Sequence, residues 1–106
     1  MSLSRQQTIQ AISKAFEKFQ DLTVYLFGSS ARGDFRDNSD IDLLILLPDY
    51  LSSKERVEME SEICGLLLPI EMETDLEISP VMLPEKVWKE RKTPFTVNVM
   101  NDSIPL

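Results

Sequence analysis

Asp40 and Asp42 flank Ile41 at the head of an aliphatic run that continues to Leu47. In a strand, residues i and i+2 project to the same side, with α-carbons roughly 6.5–7 Å apart. Two carboxylates held that close repel each other unless one is protonated or a cation sits between them. Nothing basic lies between them in sequence, so a hard divalent ion is the natural partner. Upstream, the apolar run Val24–Phe27 is cut by Gly28-Ser29-Ser30-Ala31-Arg32-Gly33. Gly28 allows dihedrals and close approaches that a larger residue would not. Ser29 or Ser30, capping a short helix through Ala31 and Arg32, would leave free amides and a hydroxyl for an anion. Arg32 then either stabilises an external phosphate or braces the loop. A lone Gly-Ser-Ser is usually a turn without a ligand, and it is the carboxylate pair that gives this one chemical meaning. A calcium loop starting at Asn38 is excluded, because Leu43 takes the position that needs glycine and no glutamate stands at the twelfth.

The elements around this stretch follow from periodicity. Ser4 or Thr8 caps a first helix whose Ile9, Ile12, Phe16 and Phe19 share one face. Thr23–Phe27 is β-branched and aromatic, as in a buried strand. Asp34 to Ser39 is a polar loop, with Asn38 and Ser39 as turn formers. Asp40 to Leu47 is apolar enough for a central strand buried on both faces, and Pro48 stops it. Ser52-Ser53-Lys54-Glu55 is a capping box that opens a helix to about Leu67, which Gly65 and Pro69 weaken and then end. Val57, Cys64 and Leu68 lie near one stripe of that helix, with Ile63 and Leu67 beside it. From Ile70 to Leu83 apolar and acidic residues alternate, predicting either a hairpin turning at Thr74-Asp75 or one long strand from Glu71. Pro80 assigns that strand to an edge or a bulge. Pro84 opens a helix containing Val87 and Trp88, Phe95 to Met100 is a short helix or extended tail, and Asn101 to Leu106 is a terminal segment. The whole predicts an α/β fold: a small mixed sheet with helices mainly on one face, open on the other at the Asp pair.

Composition bounds the function. The 106 residues are expected to form one domain, residues 1–106, and 42% apolar content suffices for a core. A net charge of −7 argues against phosphate-driven binding of nucleic acid and suits a protein partner or a small substrate. One cysteine, Cys64, fits a reducing compartment, and no apolar run approaches ~18 residues, so the expected location is cytoplasmic, with no membrane association. The chain has no histidine, so any chemistry must run on carboxylates, hydroxyls and backbone amides.

Gly28-Ser29-Ser30-Ala31-Arg32-Gly33 followed by Ser39-Asp40-Ile41-Asp42-Leu43 resembles the signature of the DNA polymerase β-like nucleotidyltransferase superfamily. The short length is most similar to its minimal nucleotidyltransferases, the MNT proteins often paired with HEPN-domain toxins. The match is dense over Leu26 to Leu46, and either half of the signature alone would be weak. The resemblance implies that Gly28 and Ser29 hold a nucleoside triphosphate, with Ser30, Arg32 and Gly33 completing the nucleotide-binding motif. It implies that Asp40 and Asp42 bind two Mg2+ ions and that ATP, or another NTP, is the substrate. It also implies a third carboxylate on a neighbouring strand. Before Pro80, at the place such a residue would take, stands Ser79; Asp75 and Glu77 share its face in a strand and are the candidates.

Two functions follow. The first is a magnesium-dependent enzyme that transfers AMP to a hydroxyl of a HEPN-type partner. In so short a chain, the partner or a second copy must build the acceptor side of the cleft. The second is a nucleotidyltransferase fold that neutralises a partner by occlusion. The intact Gly-Ser and Asp-x-Asp oppose this second reading, since a pure binder has no physical need of two mutually repelling carboxylates.

Overall fold

Ser4 opens helix α1 (Arg5–Ala15) with a reciprocal pair of bonds: its hydroxyl accepts from the Gln7 amide at 3.1 Å, and Gln7 Oε1 accepts from the Ser4 amide at 3.0 Å. This satisfies two of the helix's otherwise orphaned groups. A 3-10 turn, Phe16–Lys18, carries the chain into β1 (Thr23–Phe27), and the short helix α2 (Ser29–Arg32) follows. Then come β2 (Ile41–Leu47), α3 (Ser53–Met72), β3 (Ile78–Pro84), α4 (Glu85–Glu90), α5 (Pro94–Asp102) and β4 (Ile104–Pro105). The computed structural model describes residues 4–34, 36, 40–74 and 76–106. The turn formers Asn38 and Ser39, and the candidate Asp75, lie outside the described residues.

The sheet is mixed, in the order β3-β2-β1-β4. β1 pairs antiparallel with β2, placing Phe27 opposite Asp42, while β3 runs parallel to β2, placing Ser79 opposite Asp42. A parallel neighbour requires a crossover, and α3 provides it. That requirement overturns both the hairpin and the long strand expected from Glu71 onward. Glu71 is still helical; its Oε2 accepts the Ile78 amide at 3.1 Å and ties the end of α3 to the start of β3. α3 therefore runs through Pro69 rather than ending there. The proline forfeits one backbone bond, but Ile70 beyond it packs on the core and Glu71 is anchored. Pro80 does sit on an edge strand, as its missing donor demands.

β2 is buried along nearly its whole length. Ile41, Leu43, Ile45 and Leu47 meet Ile12, Phe16, Ile63 and Leu67, so the two longest helices lie on that face. Leu44 and Leu46 face the other way and meet Trp88 and Val99 of α4 and α5. Asp42, next in the same alternation, is half-buried at the end of this second face. β4, which the terminal segment did not announce, pairs with β1 at Tyr25 and Leu26. Among the described residues no helix is long and apolar enough to cross a membrane.

The stripe of α3 that faces the core is Ile63 and Leu67, at 0% and 4% exposure, whereas Val57 and Leu68 are 61% and 56% exposed and Cys64 is exposed. Ile63→Ala should therefore cost about 2–5 kcal/mol, and Leu68→Ala should stay within about 0.5 kcal/mol. Urea unfolding of the two variants checks the assignment; equal losses would contradict it.

Candidate functional site

The site begins where β1 runs out. Gly28 takes φ +75° and ψ −155°, a backbone region closed to residues with a side chain. A Cβ built there would lie 2.5 Å from Asp42 Oδ2. The Asp42 carboxylate thus rests against the bare α-carbon of the turn, across the Phe27–Asp42 register. Gly28 is itself the N-cap of α2, and no side chain caps it; the expectation that Ser29 or Ser30 would cap is corrected, because both already lie inside the helix. The Ala31 and Arg32 amides, each 3.1 Å from the Gly28 carbonyl, close the turn, and Gly33 ends it in the left-handed region at φ +84°. The amides of Ser29 and Ser30 open the helix, where no intrahelical acceptor reaches them.

Ser30 and Arg32 of the turn each have an assignable neighbour. The Ser30 hydroxyl accepts from Arg5 Nη1 at 2.7 Å, and Arg5 Nη2 donates to the Arg36 carbonyl at 3.1 Å, pinning the turn to the start of α1. Arg32 reaches Asp34 at 3.2 Å and Asp102 of α5 at 3.3 Å. These hydrogen bonds, to Asp34 first and then to Asp102, push the guanidinium pKa up, so Arg32 is a permanent cation. Its pairs are exposed and add little stability; what they do is hold its charge at the mouth of the turn. A small cleft of about 190 Å³ lies there, bounded by Gly28, Arg32, Phe95 and Asp102 among others.

At the head of β2, Asp40 Oδ2 accepts from the Ser79 hydroxyl at 3.2 Å. Burial pushes the Asp42 carboxyl pKa up, and the neighbouring Asp40 charge pushes it further in the same direction; Arg32 pulls it back down. A carboxylate that is half-buried beside another is one that a cation would relieve. The donor set of two carboxylates and a hydroxyl, all oxygen, fits a hard divalent ion that keeps water or phosphate oxygens in its remaining positions. Glu77 stands at the foot of β3, exposed, with its carbonyl accepting the Ile41 amide at 2.8 Å. Among the described residues no three Asp, Glu or Cys side chains are grouped closely enough to share a metal. The residue facing the Asp pair from β3 is therefore Ser79. The contact of Arg5 with Ser30 and that of Arg32 with Asp102 span 25 and 70 residues, and nothing in the sequence announces either.

Comparison with known proteins gives the family and the fold. The family model described as "Polymerase beta, Nucleotidyltransferase" matches residues 9–97. A candidate protein adenylyltransferase of Methanocaldococcus jannaschii is 35% identical over 78 residues, covering 74% of this chain and 71% of that protein. The fold is similar to that of a candidate nucleotidyltransferase from Sulfolobus solfataricus, with a TM-score of 0.52 and 23% identity over 93% of this chain and 76% of that one. It is also similar to a chain of a toxin–antitoxin structure with AMP-PNP, with a TM-score of 0.50 and 22% identity over 91% of this chain and 69% of that one. A mutant of the toxin–antitoxin MntA-HpeT gives a TM-score of 0.50 at 22% identity, over 97% and 72% of the two chains.

Proposed function

From the premise that the chain belongs to the polymerase β nucleotidyltransferase family and is a nucleotidyltransferase, we propose that it transfers AMP from ATP to a hydroxyl of a protein partner. The observation that supports this reading most is the seat of Asp42 against Gly28. It makes one wall common to the turn that would take phosphate and the carboxylate pair that would take a cation.

In this reading the amides of Ser29 and Ser30 and the Ser29 hydroxyl hold the triphosphate, while Arg32 offsets its charge from the rim and Gly33 ends the turn so that Arg32 can reach there. Asp40 and Asp42 hold Mg2+, as two ions in the family's manner. When bound, the metal neutralises phosphate charge and lowers the pKa of the acceptor hydroxyl. Transfer of this kind asks the protein chiefly for alignment and charge. The acceptor oxygen bonds to the α-phosphorus as the bond to pyrophosphate breaks, and the hydroxyl proton leaves to a base. Glu77, with Asp75 beside it in sequence, is the carboxylate source nearest that role. The names of the similar structures, a toxin–antitoxin with AMP-PNP and the toxin–antitoxin MntA-HpeT, support an adenine nucleotide and a toxin as partner, with this chain in the antitoxin role; that the toxin is of HEPN type is what the resemblance of the signature implies. A cytoplasmic setting suits the single, exposed Cys64.

A second reading, a catalytically weak protein that occludes its partner, is favoured by one observation: Ser79 rather than a carboxylate faces the Asp pair. Isothermal titration of ATP with and without Mg2+ tests the first reading. Wild type should bind ATP in a Mg2+-dependent way, and Asp40→Ala/Asp42→Ala should not. Absence of binding to wild type would sink the free-enzyme reading and leave a partner-completed site or an occluding binder, which repeating the titration with the partner present separates.

A further inference from the structure

The second face of the sheet carries a groove that the nucleotide site does not use. It has a volume of about 480 Å³ and lies between α4, α5 and the far ends of β1 and β2. Tyr25, Leu46 and Trp88 line it within, and Val97 and Met100 of α5 stand at its mouth, 52% and 45% exposed. Leu46 and Asp42 share a face of β2 four residues apart, so the groove opens about 13 Å from the carboxylate pair at the usual strand rise. Phe95 links the two regions, edge-on to Phe27 at 6.3 Å and to Trp88 at 6.4 Å.

The charge around this groove runs against that of the chain. Lys86, Lys89, Arg91 and Lys92 place four of its eleven cations within one short segment, beside only Glu85 and Glu90, in a protein of net charge −7. Lys89, Arg91 and Lys92 line the groove. Lys89 is answered by Glu85 at 2.8 Å, but among the described residues neither Arg91 nor Lys92 has a carboxylate in ion-pair range. An apolar trough of ligand size, whose rim adds the unpaired charges of Arg91 and Lys92 to the Glu85–Lys89 pair, favours an extended segment that is acidic and carries apolar or aromatic side chains.

We propose that this groove docks an acidic, aromatic-bearing peptide segment of the protein acceptor, holding it on the same sheet face as Asp40 and Asp42. The proposal rests on the reading of the chain as a protein-modifying nucleotidyltransferase, and it makes α4 and α5 the specificity element of that enzyme.

The chain's one tryptophan, Trp88, is a built-in reporter of occupancy. The probe is a random Glu-Tyr copolymer titrated against the full chain at low salt, with a Lys-Tyr copolymer and a short oligothymidylate as competitors for the same reading. The Glu-Tyr copolymer should shift Trp88 emission, and its binding should weaken at least tenfold as salt is raised past 0.1 M, where screening acts within about 10 Å. Arg91→Glu/Lys92→Glu should weaken binding at least tenfold, and Val97→Asn about threefold. Lys54→Glu/Arg56→Glu, the same charge change made on exposed residues of α3, should leave it unchanged. Circular dichroism confirms that each variant is folded. Equal or tighter binding of the Lys-Tyr copolymer or of oligothymidylate would overturn the proposal. So would equal weakening by the α3 pair, which would mean net charge alone, or no response to the Glu-Tyr copolymer. Asp42→Asn should bind the copolymer as wild type does. Docking is thereby read separately from transfer: in the wild-type chain, absence of labelled-AMP transfer with docking intact counts against the enzymatic reading and not against the groove.

Discussion

Asp42→Asn should abolish nucleotidyl transfer and, in the absence of metal, make the protein more stable. The loss of transfer should be a thousandfold or more, about 4 kcal/mol of transition-state stabilisation, because the amide keeps the shape but not the charge of a cation ligand. The gain in stability follows from the sign of the titration. Burial, and next the charge of Asp40, raise the folded-state pKa of Asp42 above its unfolded value. The folded state therefore binds this proton more tightly than the unfolded state does, so stability falls as pH rises from the unfolded pKa through the raised folded one. Above that window the ionised carboxylate is a standing penalty. Asparagine removes it, and the melting temperature at neutral pH should rise, by a small amount because solvent screens the repulsion at this partly exposed carboxylate. Mg2+ should stabilise wild type by mass action and leave the variant unmoved. Thermal melts of both proteins across pH 4 to 8, with and without Mg2+, read every part of this. A variant less stable than wild type without metal would contradict the assigned repulsion.

Gly28→Ala should be the most damaging single methyl in the chain. The new Cβ has two objections to meet. At φ +75° the backbone is strained for any L side chain, at about 1–3 kcal/mol. At 2.5 Å from Asp42 Oδ2 the methyl also cannot coexist with the carboxylate where it now rests. Asp42 must turn away, and misplacement of a reacting group by about 1 Å can cost on the order of a hundredfold in rate. Gly33→Ala is the control. Gly33 also has positive φ, +84°, but nothing lies within 4 Å of its Cβ position, so only backbone strain of about 1–2 kcal/mol should appear and transfer should survive. A double-mutant cycle of Gly28→Ala with Asp42→Ala isolates the contact. The stability cost of the alanine should shrink when the carboxylate is gone, and strictly additive costs would mean that the two residues do not touch.

Both predictions concern residues that the sequence marked and a contact that it did not. Asp40 and Asp42 were legible because strand alternation is local: once Ile41–Leu47 is a strand, the two carboxylates must share a face. Gly28 was legible as a turn, since an apolar strand broken by glycine and serine has few alternatives. That Asp42 lies against Gly28 depends on the register of β1 with β2, which is set by a connection whose residues 37–39 carry no apolar pattern to read.

The chain by itself determined what short-range physics decides. Ser52 and Glu55 close the first turn of α3 within three residues, Ile12 and Phe16 fall on one helical face, and Leu43–Leu47 is too apolar to be anything but interior. Tertiary structure decided the rest, in each case because the deciding partner is far along the chain. α3 carries apolar residues on more than one side, and only its docking against α1 and β2 chose Ile63 and Leu67 over Val57 and Leu68. Alternation from Ile70 reads as a strand until the parallel register of β3 requires a crossover, and then the helix continues past Pro69 to the point where Glu71 can hold Ile78. The last residues became β4 because β1 still had an open edge. Arg5 meets Ser30, and Arg32 meets Asp102, only once the sheet has brought both ends of the chain to the glycine turn.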